Sequence, residues 1–212
     1  MTAIKICGLS RECDIDFVNE AKPDCIGFIL NVPKSRRNVS VERAAELRSR
    51  LLPGIRAVGV FVDQPVETVR EAAERIPLDV IQLHGREDDR YIAELKNRTD
   101  RPVWKAFQIK GPDDLEAAQR CTADEILLDG GTGSGVAFDW SVLSAFPRPF
   151  ILAGGLTPEL IPEAVRTLRP KMIDLSSGVE TDGLKDRNKI TAAVLAAHGV
   201  PAECTAEKEG RT

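Results

Sequence analysis

Aromatic side chains are scarce in this 212-residue chain: seven Phe, two Trp and one Tyr. That number is too small for a stacking platform along single-stranded nucleic acid. A dominant charge is missing as well, because 29 Lys and Arg stand against 33 Asp and Glu for a net charge of -4. No broad basic field exists to recruit nucleic acid or anionic lipid. Long hydrophobic runs are also absent. The longest stretch without a formal charge, residues 190–202, holds 13 residues, short of the roughly 20 that a membrane helix needs. The first eleven residues reach charge and glycine before an apolar segment forms, so no secretory signal is visible and the expected location is the cytoplasm. Histidines number two, His84 and His198, with no HExxH or paired-cysteine spacing for zinc. The five cysteines (Cys7, Cys13, Cys25, Cys121, Cys204) are odd in number and lack CxxC spacing, which reads as reduced thiols. A small-molecule partner is what these exclusions leave.

With 42% hydrophobic residues and 16 glycines, about half the chain is apolar, the usual range for a globular domain. Short runs rich in Ile, Val, Leu and Phe alternate with segments of helical spacing and mixed charge. Strands are predicted at 4–7, 25–30, 55–62, 80–83, 103–107, 125–129, 150–153 and 172–175. Helices are predicted near 12–21, 41–51, 66–75, 88–98, 112–120, 140–145, 158–168 and 187–197. Ser10 and Ser40 precede two of these as caps, and Pro158 follows Thr157 at an expected first helical position. Eight βα units of about 26 residues each point to one α/β domain, a (β/α)8 TIM barrel over residues 1–200. A doubly wound sheet would carry a GxGxxG turn after its first strand, and here Cys7-Gly8-Leu9-Ser10 follows instead. Residues 201–212 are polar and aperiodic, and read as a loose tail.

In such a barrel the chemistry sits where the strands end. Strand one ends in Cys7, strand four runs into His84, strand six ends in Asp129, and strand eight contains Asp174. Cys7 before Gly8 is either a base or nucleophile at a strand-to-helix junction, or a buried structural thiol. Asp129 closes Ile126-Leu127-Leu128 and opens a Gly-rich run, which suits a desolvated general acid and equally a turn aspartate. Gly154-Gly155 and Ser176-Ser177-Gly178 close strands seven and eight, where exposed backbone N–H groups can solvate a phosphate. Within Lys34-Ser35-Arg36-Arg37, an Arg fork at the barrel mouth can hold a planar carboxylate; a solvated loop is the plainer alternative. His84 either bonds the substrate or caps its strand.

Read together, Lys5-Ile6-Cys7-Gly8, Gly27-Phe28-Ile29, Pro33 to Arg37, Gly59-Val60-Phe61-Val62, Gln82-Leu83-His84-Gly85, Leu128-Asp129, Phe138-Asp139-Trp140, Gly154-Gly155-Leu156 and Asp174 to Glu180 with Gly183 to Asp186 resemble the phosphoribosylanthranilate isomerase family of tryptophan biosynthesis. The likeness runs in order from residue 5 to about 190. It implies a single (β/α)8 barrel and an Amadori rearrangement of N-(5-phosphoribosyl)anthranilate without metal or organic cofactor. Asp129 matches the family's general acid and Cys7 its general base. Arg37 would hold the anthranilate carboxylate, Gly154, Gly155, Ser176, Ser177 and Gly178 would surround the phosphate, Asp174 would lie beside the sugar, and His84 would bond the substrate. The implied partner is a phosphosugar, with a monomer or homodimer equally compatible.

One departure from the family's pattern stands out: the segment after Asp129 is a short Gly-rich run leading to Val136-Ala137 and lacks the Gly-Lys pair many members carry there. Two other readings remain, a different phosphosugar barrel or a silent phosphate binder. An indoleglycerol-phosphate synthase would need a lysine acid at the barrel mouth, and the candidates, Lys5 and Lys105, show no convergent glutamate in the sequence.

Overall fold

The computed structural model describes residues 1–130 and 140–199; the expected tail and most of the Gly-rich run lie outside them. Eight parallel strands form the sheet: β1 (Ala3–Cys7), β2 (Cys25–Leu30), β3 (Arg56–Phe61), β4 (Val80–Leu83), β5 (Val103–Gln108), β6 (Glu125–Asp129), β7 (Phe150–Ala153) and β8 (Met172–Leu175). Each pairs with its neighbour in sequence, and β1 pairs with both β2 and β8, which closes the barrel. Helices α1 (Glu12–Ala21), α2 (Val41–Ser49), α3 (Val66–Arg75), α4 (Asp89–Lys96), α5 (Pro112–Arg120), α6 (Ser141–Ser144), α7 (Ile161–Leu168) and α8 (Arg187–Gly199) follow the strands in turn.

Period-two alternation divides the apolar residues between two cores. Ile4 and Ile6 of β1, Ile126 and Leu128 of β6, and Ile173 and Leu175 of β8 face outward into the main core between sheet and helices. Cys25, Val58, Val80, Trp104, Ala106, Leu127, Ile151 and Met172 fill the barrel interior. The same alternation carries Lys5 and Cys7, and Met172 and Asp174, onto inner positions. In this way polar chemistry is confined to one end of a strand whose other residues pack.

At the opposite end, three aspartates repeat one device. Asp24, Asp79 and Asp124 each stand immediately before an even-numbered strand. Their carboxylates accept from the N–H of Ile4, Ala57 and Val103 at 2.8, 2.7 and 2.7 Å. Their own N–H groups donate to the carbonyls of those same three residues at 3.1, 2.8 and 2.8 Å. Each bracket satisfies a backbone donor at the start of an odd strand and ties it to the next.

Some boundaries differ from the sequence reading, for local reasons. Helix α7 begins at Ile161, not at residue 158, because Thr157–Leu160 form a separate turn and Pro162 occupies the first helical turn. Ser10 does not cap α1; Arg11 holds that position, and Asp14 accepts from the N–H groups of both Ser10 and Arg11 at 2.9 Å. Ser40 caps α2 as expected, its side chain accepting from the N–H of Arg43. Two short pieces had no signal in the sequence: Asn38–Val39 adds to the edge of β2, and Glu180–Thr181 pairs with Leu184–Lys185 as a hairpin.

Asp79→Ala strands the Ala57 N–H and removes a charged acceptor, so it lowers unfolding free energy by about 1–3 kcal/mol in urea titration. Because Asp79 lies at the far end of the barrel, turnover per folded molecule stays the same.

Candidate active site

A cavity of about 220 Å³ opens at the C-terminal ends of the strands, and Cys7, Arg37, His84, Asp129, Gly154, Gly155, Asp174, Ser176, Ser177 and Gly178 all line it, with Gln82, Val60 and Ile29 among the others. The residues to which the family resemblance gives a site role therefore meet at one place. A larger and more open groove of about 670 Å³ runs past Asp63, Glu67, Arg86 and Asp88. Its lining is chiefly surface charge, so size alone does not locate the chemistry.

Cys7 is buried at the end of β1, with only 7% of its surface exposed. Its carbonyl accepts from the Ser176 hydroxyl at 3.1 Å, which ties β1 to the segment after β8. Room for the thiol comes from Gly27 on the adjacent strand, where a Cβ would stand 2.7 Å from Cys7 Sγ and 3.2 Å from Lys5 Cε. Lys5, two residues earlier on the same face, is fully buried and donates to both oxygens of Asp174 at 2.9 and 2.8 Å. Burial pushes the Cys7 thiol up; Lys5 opposes that, Asp174 reinforces it, and Lys185 adds to the cationic side. Burial also works against the Lys5 ammonium, yet Asp174 and Cys7 outweigh it and hold the lysine protonated. Burial lifts the Asp174 carboxyl, and Lys5 draws it part of the way back.

Across the barrel, Asp129 Oδ2 lies 3.7 Å from His84 Nε2. The Gln82 amide Nε2 lies 3.3 Å from His84 Nδ1. An amide nitrogen only donates, so Nδ1 accepts, and the neutral ring carries its proton on Nε2, the atom nearer Asp129.

Glu180, absent from the sequence reading as an individual residue, organises the rim. Arg37 donates to it through Nε at 2.6 Å and Nη2 at 2.8 Å, Lys185 donates at 2.7 Å, and Arg36 Nη2 adds a further ion pair. Desolvation raises the Glu180 carboxyl, but the bonds from Arg37 and Lys185 prevail and bring it down to about 2. The Nε–Nη2 edge of Arg37 is thereby engaged, and the edge formed by Nη1 and Nη2 is left to meet an anion.

At the third corner, Gly154 and Gly155 have φ of 93° and 63°, left-handed values that favour glycine. Gly178 passes so close to the preceding loop that a Cβ would stand 1.8 Å from the Leu156 carbonyl oxygen. At these three positions side chains are disfavoured or excluded, so the cavity meets backbone there, with Leu156, Ser176 and Ser177 beside it.

Lys105 corrects one expectation. A glutamate does converge on it, since Lys105 Nζ bonds Glu87 at 3.0 Å and the Gly85 carbonyl at 2.6 Å. However, Lys105 alternates with Trp104 and Ala106, which fill the barrel interior, so this pair lies on the outer side of the sheet. Lys5 converges on an aspartate. Among the described residues, no group of three or more His, Cys, Asp or Glu is placed to hold a metal ion, and no helix is long and apolar enough to cross a membrane.

Fold and site together define a (β/α)8-barrel enzyme whose ionisable side chains converge at the mouth beside two glycine-bearing segments. Residues 4–196 match the family model for N-(5'-phosphoribosyl)anthranilate (PRA) isomerase. The N-(5'-phosphoribosyl)anthranilate isomerase of Caldanaerobacter subterraneus subsp. tengcongensis is 44% identical over 94% of this chain and the whole of that protein. The crystal structure of the Thermotoga maritima phosphoribosyl anthranilate isomerase superposes with a TM-score of 0.86 at 35% identity, covering 94% of this chain and 100% of that one. A phosphoribosyl anthranilate isomerase solved in complex with reduced 1-(o-carboxyphenylamino)-1-deoxyribulose 5-phosphate matches over 94% of this chain and 100% of that one, with a TM-score of 0.83 and 34% identity. The chain belongs to the N-(5'-phosphoribosyl)anthranilate isomerase family and is an isomerase of tryptophan biosynthesis.

The Glu180 cluster makes stability depend on acid pH with a definite sign. A carboxyl brought from the ordinary 4.5 down to about 2 contributes fully above pH 4.5, and that contribution disappears as pH falls toward 2. In Glu180→Gln, urea titration gives a lower midpoint at pH 7 and a flatter loss of stability between pH 4.5 and 2 than in the wild type.

Proposed function

We propose that the Amadori rearrangement proceeds here with Asp129 as general acid and Cys7 as general base. The observation that carries this reading is their convergence: a carboxyl from the end of β6 and a thiol from the end of β1 enter one cavity, between a free guanidinium edge and a glycine-lined cradle. Asp129 protonates the furanose ring oxygen, and the bond from that oxygen to the first sugar carbon breaks. The nitrogen lone pair forms the C=N bond, which leaves an open-chain iminium. That cation acidifies the C–H on the second carbon, so a thiolate of modest basicity suffices if it is well placed. Cys7 takes this proton, and the electron pair returns through the new C=C bond to nitrogen, giving an enolamine. Protonation at the first carbon and loss of the enol proton then yield the ketone.

Each binding role rests on the chemistry of its corner. The open edge of Arg37 suits the anthranilate carboxylate, with Glu180 keeping the guanidinium planar to the site. Backbone N–H groups around Gly154, Gly155, Ser177 and Gly178, with Ser176 beside them, suit the phosphate. Asp174, beside Cys7, lies where the sugar must pass, and the Nε2–H of His84 is a donor to it. The working partner is a phosphosugar, and neither nucleic acid nor membrane enters the reading. A net charge of -4 and a biosynthetic role agree with a cytoplasmic enzyme.

The test follows the fluorescence of freshly generated N-(5'-phosphoribosyl)anthranilate, which falls as product forms, with a metal chelator present throughout. The wild type turns over under these conditions, while Cys7→Ser and Asp129→Asn each lose roughly 10²–10⁴-fold in kcat with product affinity nearly unchanged. Two folded variants at wild-type rates would refute the assignment.

A further inference from the structure

We infer that Gln82 is a substrate-binding residue whose side-chain carbonyl oxygen accepts a hydrogen bond from a hydroxyl of the phosphosugar. The inference rests on the site described above and adds a residue to it.

Gln82 lies on β4 with its side chain on the cavity wall, 1% exposed, beside Val60 on one neighbouring strand and Trp104 on the other. One end of its amide is occupied, because Nε2 donates to His84 Nδ1. The other end is not: Oε1 is the buried side-chain polar atom that finds no partner among the described residues. Desolvating a carbonyl without replacing its hydrogen bond is unfavourable, and a native interior rarely tolerates it without a reason. Packing supplies none here. The inner positions around Gln82 are filled by Val58, Val80 and Ala106, so an unbranched apolar side chain of the same length would occupy the space without the penalty.

The chemistry of the atom selects its ligand. A carbonyl oxygen only accepts, which rules out the phosphate and the carboxylate, both acceptors themselves. The amine N–H lies beside its own ortho carboxylate and bonds there. Hydroxyl groups of the sugar are the remaining donors, and the sugar must lie between Cys7 and Asp129 for the proposed proton transfers to occur. Gln82 therefore does two jobs with one amide: its nitrogen sets the tautomer of His84, and its oxygen waits for the sugar.

Gln82→Met separates this role from a structural one because the two predict opposite stability changes. Losing an orphaned buried carbonyl leaves the melting temperature equal to or above that of the wild type, while kcat/KM for N-(5'-phosphoribosyl)anthranilate falls at least 10-fold. Comparing His84→Ala with the double variant Gln82→Met/His84→Ala isolates the direct contact, since the methionine still costs several-fold when His84 is gone. A lowered melting temperature, failure of the methionine variant to fold, kcat/KM within twofold of wild type, or no further loss in the His84→Ala background would each overturn the inference. Turnover by the wild type in the same assay keeps these outcomes distinct from failure of the active-site reading, in which the wild type itself would be silent.

Discussion

A lysine and an aspartate bonded at 2.8 Å inside a closed barrel constrain everything around them. Removing two charges from water costs several kcal/mol per ion, and only good geometry offsets that cost. Lys5 and Asp174 obtain the geometry from the fold itself, because they are register partners on β1 and β8, the two strands whose pairing closes the barrel. A slip of one residue between these strands would turn one of the two charges toward the helices and leave the other inside without its partner. The ion pair is therefore both a consequence of correct closure and a penalty on incorrect closure. It also sets the field at Cys7, which stands one step further along the same face and feels a cation and an anion of opposite effect.

A second charged cluster, on the rim, works by different physics. Glu180 gathers Arg36, Arg37 and Lys185, and so joins the segment after β2 to the hairpin after β8. Lys185 Nζ extends this to the Ser176 carbonyl at 2.9 Å, and Ser176 in turn reaches Cys7 through its hydroxyl. Arg37, the segment at Ser176 and the Cys7 backbone are thus linked by a chain of short polar contacts. The interior pair acts on Cys7 through charge, and the rim cluster fixes the positions of Arg37 and the segment after β8 through hydrogen bonds.

How much of this was legible in the sequence depended on periodicity. Strand and helix positions were readable because apolar runs and mixed-charge segments alternate eight times, and Cys7, His84 and Asp129 stood out as reactive groups closing apolar runs. Lys5 was weighed only as a candidate acid, and neither its ion pair with Asp174 nor the buried amide of Gln82 was foreseen, although a charge and an amide two residues before Cys7 and His84 place each pair on one face of its strand; that spacing was the available signal. Glu180 could not have been singled out, because its importance comes from Arg37, 143 residues away in sequence. Lys105 shows the converse, since its partner Glu87 is 18 residues distant and only the inward or outward sense of β5 reveals that the pair is outside the barrel. The aspartate brackets were hidden for a similar reason: Asp24, Asp79 and Asp124 resemble ordinary turn residues until the neighbouring strand supplies the N–H each accepts.

The central claim is that the Lys5 ammonium of the buried ion pair offsets part of the burial that raises the Cys7 thiol, the group proposed above as the base. The most direct measurement is the rate of iodoacetamide alkylation at Cys7 as a function of pH, followed by peptide mass, in the wild type and in Lys5→Met. Without the ammonium that opposes burial, the alkylation midpoint of the variant moves to higher pH. Coincident profiles in two folded proteins would show that Lys5 does not act on the thiol, and the electrostatic account of the site would be wrong.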